Sequence, residues 1–261
     1  MKKLLFYGLI IIVFSALGFL IYLDQTHIEL SIITIDAAYT IMDDEPSIEI
    51  PIYMSGHDHP LIHEETIEYL SISHVDDHIK MAVELKEIIY RGNDIYLNKM
   101  YDLYVYQLNL PSTDQTIMID EAILSIQMIN GISYDLSIGK ISISPSKPLY
   151  GHLDWSHLSG IKIDQTIYER VGCVEIGIFE LKDDIKGFFD GFTYSEKFQI
   201  KDDVLYLYID DESFLFQSFP IEIIFKDGSS QMIPYFTYMN TYQLLSVSGP
   251  IIHHYDFNPA L

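Results

Sequence analysis

Five of the ten histidines fall between positions 57 and 78: His57, His59, His63, His74 and His78. They stand in two segments, GHDHPLIHEE and HVDDH, among Asp58, Glu64, Glu65, Asp76 and Asp77. Neutral imidazoles beside carboxylates are the donor set that Zn²⁺ and similar divalent metals take. Spacing limits how they could converge. His57 and His59 would share a face on a strand, and the HxxxH pairs would share a face on a helix. Pro60 interrupts the first HxxxH pair, and neither segment has a helical apolar pattern. HEExx at His63 lacks the second histidine of the zincin motif, because Ile67 holds that place. The cluster is therefore a candidate metal site, with a polar loop between strands as the competing reading. Exposed histidines among acids could also respond to pH.

Other chemistry-bearing residues carry less. The pairs Asp183-Asp184, Asp202-Asp203 and Asp210-Asp211 lack the spacing that wraps one Ca²⁺ in a single loop, and aspartate is an ordinary turn residue. His253-His254 reads as a strand terminus. There is no G-x-S-x-G elbow, no Ser-x-x-Lys in a helical setting, and neither glycine-rich phosphate loop. Cys173 lies inside an alternating run, Val171 to Phe179, where a core thiol is expected. Tyr101, Tyr104 and Tyr106, with Tyr194, Tyr206 and Tyr208, could line a sugar-binding face, but tyrosine is also a good strand former. No enzyme, cofactor or family is assigned by these residues, and zinc or a similar divalent metal is the one alternative they raise.

The elements that must hold these residues are strands. Ile28, Leu30 and Ile32 alternate with polar residues, as do Ile48, Ile50 and Ile52, and then Ile79, Met81, Val83 and Leu85. Strict period two marks strands with one wet face and one buried face. The third run continues to Tyr90, and Arg91-Gly92-Asn93-Asp94 is expected to turn it back into an aromatic strand, Ile95 to Leu110. Asn130-Gly131 between alternating runs is the clearest hairpin signal, and Asp227-Gly228 repeats it later. The expected fold is all-β: two tandem antiparallel β-sandwich domains of immunoglobulin-like type, at 25–145 and 161–261. Residues 146–160, with the only tryptophan, Trp155, read as the linker, and the C-terminal residues as a final strand or docked tail.

Ahead of the strands stands Leu4 to Leu23, twenty residues without a charge. As a helix this stretch would be about 30 Å long, matching a bilayer core. Lys2 and Lys3 precede it and Asp24 follows, so residues 1–24 are expected to be a cytoplasmic stub and an uncleaved signal anchor, with the rest outside the cell membrane. A cleaved signal would need small residues where Phe19-Leu20-Ile21-Tyr22 stand. The net charge of −23 repels phosphate backbones and excludes nucleic acid as an expected partner. One cysteine allows no internal disulfide, which in an exported chain points to a bacterial envelope. The expected function is a non-catalytic interaction or accessory module bound to another envelope or membrane protein. The alternative is a metal- or ligand-binding ectodomain that uses the histidines between His57 and His78.

Overall fold

The computed structural model describes residues 30–42, 46–56, 59–76, 78–146, 148–149, 151–162, 171–209, 215–216, 218–237 and 252–257. The expected anchor and His57 lie outside them. The described chain is almost entirely β and contains no α-helix; none of its helices is long and apolar enough to cross a membrane.

Strands β1 (Leu30–Ile35), β2 (Ala37–Met42), β3 (Ser47–Met54), β4 (Ile67–His74), β5 (Lys80–Tyr96), β6 (Lys99–Asn109), β7 (Ile117–Met128) and β8 (Ser133–Ser144) build the first unit. One long sheet runs β2-β8-β7-β4-β5-β6-β3-β1 and folds over on itself. The fold-over works because β5 is long enough to belong to both halves. Its Lys80–Val83 end pairs with β4, and its Glu84–Tyr96 stretch pairs with β6. Alternating residues from the two halves meet in one core: Ile32, Ile50, Ile52 and Tyr106 from one side, Leu70, Ile72, Leu124 and Ile141 from the other. This is the sandwich-like packing that period-two patterning demands.

Two turns differ from the sequence reading for backbone reasons. Arg91–Asp94 does not reverse the chain; β5 runs straight through it. Gly92, at φ +122°, absorbs a register shift against β6, so the Gly-Asn-Asp signal makes a β-bulge. The reversal comes at Leu97 and Asn98, both left-handed, with φ 48° and 64°. At Asn130-Gly131 only Gly131 has positive φ, and its N–H bonds to the Met128 carbonyl at 2.9 Å. That is a type I turn closed by a glycine bulge rather than a primed two-residue turn.

The second unit has two four-stranded sheets. Strands β9 (Leu153–Lys162), β10 (Val171–Leu181), β13 (Phe198–Lys201) and β14 (Val204–Tyr208) form one; β11 (Ile185–Phe189), β12 (Tyr194–Ser195), β16 (Ser218–Phe225) and β17 (Ser230–Thr237) form the other. Val174, Ile176, Leu205 and Leu207 face Ile185, Phe188, Ile221 and Ile223 across its core. The segment read as a linker is thus a strand from Leu153 onward, because Leu153 and half-buried Trp155 fill this core. Gln231, fully buried on β17, fastens the approach to it. Its Oε1 accepts from the His152 and Leu153 N–H groups, both at 2.9 Å, and its Nε2 donates to the carbonyls of Leu149 at 3.1 Å and Leu153 at 2.7 Å.

The two units share a wall. Strand β2 turns Tyr39 and Ile41 into the first core and Ala38 into the second, and the short strand β15 (Leu215–Phe216) pairs parallel to it. The last described strand, β18 (Ile252–Phe257), lies in the first unit. It pairs with β1 from Leu30↔Phe257 to Ile35↔Ile252 and closes the sheet edge.

Candidate metal centre

The structure divides the histidines between two ends of β4. His59 and His63 sit in the β3–β4 connection, which winds two single-turn 3₁₀ helices at Pro60–Ile62 and Glu64–Thr66. His74 and His78 flank the β4–β5 turn. The seven steps of the eight-residue strand Ile67–His74 put about 23 Å between the two groups. No single ion can take ligands from both.

His59 has a local structural role. Its Nδ1 accepts the Leu61 N–H at 3.1 Å, capping the first 3₁₀ turn, which Pro60 starts with a preset φ. The ring meets Tyr134 edge-on, with centroids 6.0 Å apart. Burial lowers its pKa, because a charged imidazole would lose hydration there. His63 is exposed, on the far side of the turn from that cap.

His74, Asp76 and His78 do converge. Each offers a donor atom, and the three atoms lie within 4.8 Å of one another. The turn makes this possible: His74 ends β4 and its N–H bonds the Ile79 carbonyl at 3.0 Å, so the intervening residues fold over a short span. The His74 and His78 rings lie 4.1 Å apart, tilted by 53°. Tetrahedral zinc at about 2.0–2.1 Å from each ligand sets donors about 3.3 Å apart, so the turn would have to tighten. One more cost is local. His74 Nδ1 accepts the Asp76 N–H at 3.1 Å, so ligation through Nδ1 forfeits that bond and ligation through Nε2 requires the other tautomer. Three protein donors with an open fourth position is a set zinc accepts.

A second cluster was not foreseen from the sequence, since its members come from three distant turns. His152, Asp183 and Asp227 bring donor atoms within 4.8 Å. His152 Nδ1 is bonded to Asp183 Oδ2 at 2.5 Å and the ring packs on Phe225. Asp227 accepts from the Ser229 N–H and hydroxyl, at 2.9 and 2.6 Å, and these bonds hold its carboxyl below the usual range, with His152 adding a smaller pull. Hydrogen bonds already satisfy this group.

The remaining candidates are placed as follows. His253 Nε2 meets Asp36 Oδ1 at 2.7 Å, and His254 Nε2 meets the Ser31 hydroxyl at 2.5 Å and Tyr101 at 3.3 Å. Asp256 approaches the same His254 nitrogen, at 3.4 Å, and not the Nδ1 side from which a triad carboxylate would orient the ring. Cys173 is buried, and burial, reinforced by the Glu175 carboxylate, raises its thiol pKa, the reverse of what a nucleophile needs. Tyr101, Tyr104 and Tyr106 are buried in the first unit. Tyr106 donates its hydroxyl proton to the Leu61 carbonyl. Tyr208 and Tyr194 are exposed but lie on different sheets.

No family model matches this chain, and no curated protein matches it. Among solved structures it is similar to SGBP-B of the Bacteroides ovatus mixed-linkage glucan utilization locus, solved with a mixed-linkage heptasaccharide. That likeness has 10% identity and a TM-score of 0.23, over 73% of this chain and 39% of the other. It is also similar to the human desmocollin-1 ectodomain, at 10% identity and a TM-score of 0.20, over 78% of this chain and 36% of the other. The chain spans well under half the length of either.

Proposed function

We propose that this protein is a non-catalytic module of the bacterial envelope, held by a transmembrane helix at residues 4–23. It would present two tandem immunoglobulin-like sandwiches, outside the membrane, to another envelope or membrane protein. The observation that carries the reading is the position of Leu30. Only six residues, 24–29, separate the charge-free stretch from the first described strand, which supports folded sheets close to the expected anchor. The acidic surface supports an ectodomain in solvent rather than one lying flat on anionic lipid. Phe179, 74% exposed on β10, is a probe for the partner. A photocrosslinker at Phe179 in native membranes is expected to capture one reproducible protein that a probe at Ser112 does not capture. Capture of nothing beyond the Ser112 background would refute the interaction reading.

A second reading rests on the His74–Asp76–His78 turn: binding of Zn²⁺ or a similar divalent ion. Metal analysis of the purified protein, with a thermal shift on adding Zn²⁺, tests it. A metal-free protein that Zn²⁺ does not stabilise would rule it out.

A further inference from the structure

The ends of the first unit differ in chemistry. At one end lie the hairpin tips of β5–β6 and β7–β8, and both carry exposed apolar side chains. On the first these are Ile95 at 58%, Leu97 at 79% and Met100 at 52%; on the second, Ile129 at 66% and Ile132 at 50%. The opposite end is mostly polar: it is turned by His74, Asp76 and His78, with Val75 between them 47% exposed, and by Ser112, Thr113, Asp114 and Gln115. Folding does not require the apolar tips. Leu97 occupies a left-handed position where asparagine or glycine would be unstrained, and leucine there costs about 1–2 kcal/mol.

The register places these tips relative to Leu30. Ile32 pairs with Met54, Met54 with Asp102, and Asp102 with Asn93, so the four form one row across β1, β3, β6 and β5. From that row Leu30 lies two residues toward the apolar end, about 7 Å, and Leu97 four residues toward the same end, about 13 Å. The second tip is at that end too. Tyr134, beside it, packs edge-on against Phe257 at 4.8 Å, and Phe257 pairs with Leu30. Residues 24–29 can span at most about 20 Å, so the charge-free segment must begin close to both tips.

We infer that the β5–β6 and β7–β8 tips dock on the outer surface of the bilayer and seat Leu97 and Ile129 at the headgroup–acyl boundary. This rests on the anchor reading and deepens it: the ectodomain stands on three points, the anchor and two apolar tips. Apolar burial supplies the attraction. The net charge of −23 makes anionic lipid the disfavoured partner. Docked tips orient the sandwich and carry its opposite end, and the second unit with it, away from the membrane.

The test uses the full chain in phosphatidylcholine nanodiscs with brominated acyl chains. L97W, I129W and the opposite-end control V75W are compared with the parent, whose Trp155 supplies the baseline. The expected result is loss of most of the added emission in L97W and I129W, with little loss in V75W. Equal quenching at all three positions overturns the inference. So does a blue-shifted but unquenched L97W, which would mean that protein, such as a second copy of this chain, covers the tip. Co-migration with the disc and an intact mass retaining the N-terminal segment score the anchor separately. A chain that co-migrates without selective quenching defeats the docking alone, whereas one that does not co-migrate defeats both.

Discussion

Gln231 offers the sharpest test of how the second unit is assembled, because one buried side chain serves four backbone groups. Its amide accepts two N–H groups and donates to two carbonyls between Leu149 and Leu153, where the chain leaves the first unit and starts β9. In Gln231→Leu the volume is kept but all four partners lose their bonds. At about 1 kcal/mol net for each bond the expected cost is about 4 kcal/mol, read by urea denaturation. Hydrogen exchange should localise it, with faster exchange at the amides of His152 and Leu153. Gln231→Glu separates bonding from packing. Its carboxylate still accepts the two N–H groups, but it sets a negative oxygen against the Leu149 and Leu153 carbonyls. Burial and those carbonyls raise its folded pKa above the unfolded value of about 4.3. The sign follows: stability is present below the unfolded pKa and is lost as pH rises through the raised one. Gln231→Glu should therefore be closer to the parent at pH 5 than at pH 7. A Gln231→Leu variant less than about 1 kcal/mol below the parent, with unchanged exchange at His152, would refute this account.

The remaining predictions concern the histidines and the thiol. His59 has a lowered folded pKa, so the unfolded chain binds the proton more readily, and stability is lost as pH falls from above 6.5 through the lowered folded value. His59→Asn keeps an acceptor for the Leu61 N–H without titrating, so its urea midpoint should fall less than the parent's between pH 7 and pH 5; parallel curves would contradict the cap. If the β4–β5 turn binds Zn²⁺, His74→Ala should abolish the zinc-induced thermal shift and His63→Ala should keep it. Equal loss in both variants would contradict the separation along β4. Cys173 should react with a disulfide reagent only as fast as the protein opens, and immediate stoichiometric labelling in native buffer would contradict its burial.

The strand content was legible because it is written in side-chain alternation: Ile48-Ile50-Ile52 and Met81-Val83-Leu85 can satisfy only a half-buried strand. Turn chemistry was partly legible. Gly131 and Gly228 close hairpins as the dipeptides indicate, but Gly92 sits in an equally good turn signal and makes a bulge, because pairing with β6 outweighs the local preference. β9 was hidden because Asp154, Ser156, His157 and Ser159 dilute its alternation, and the bonds that fix its start come from Gln231, far along the chain. The candidate site divided on the same principle. HVDDH gathers its donors locally in one turn, and the spacing shows it. Whether the two histidine segments met each other depended on the path of the strand between them, which spacing does not encode.

Strand β18 has a consequence for the order in which this chain can mature. Ser31 and His254 are bonded though 223 residues apart, and the Leu30–Ile35 edge is completed only by Ile252–Phe257. During synthesis the first unit must therefore wait, with an open strand edge, until the whole second unit has been made. Chain-terminal pairing of this kind is slow and exposes a template for wrong partners in the interval. A truncation before Ile252 would remove only six described residues, yet it would leave that edge bare for the life of the protein. Strand β18 thus acts as a check on synthesis, since only a chain that has already made its second unit can seal its first sheet.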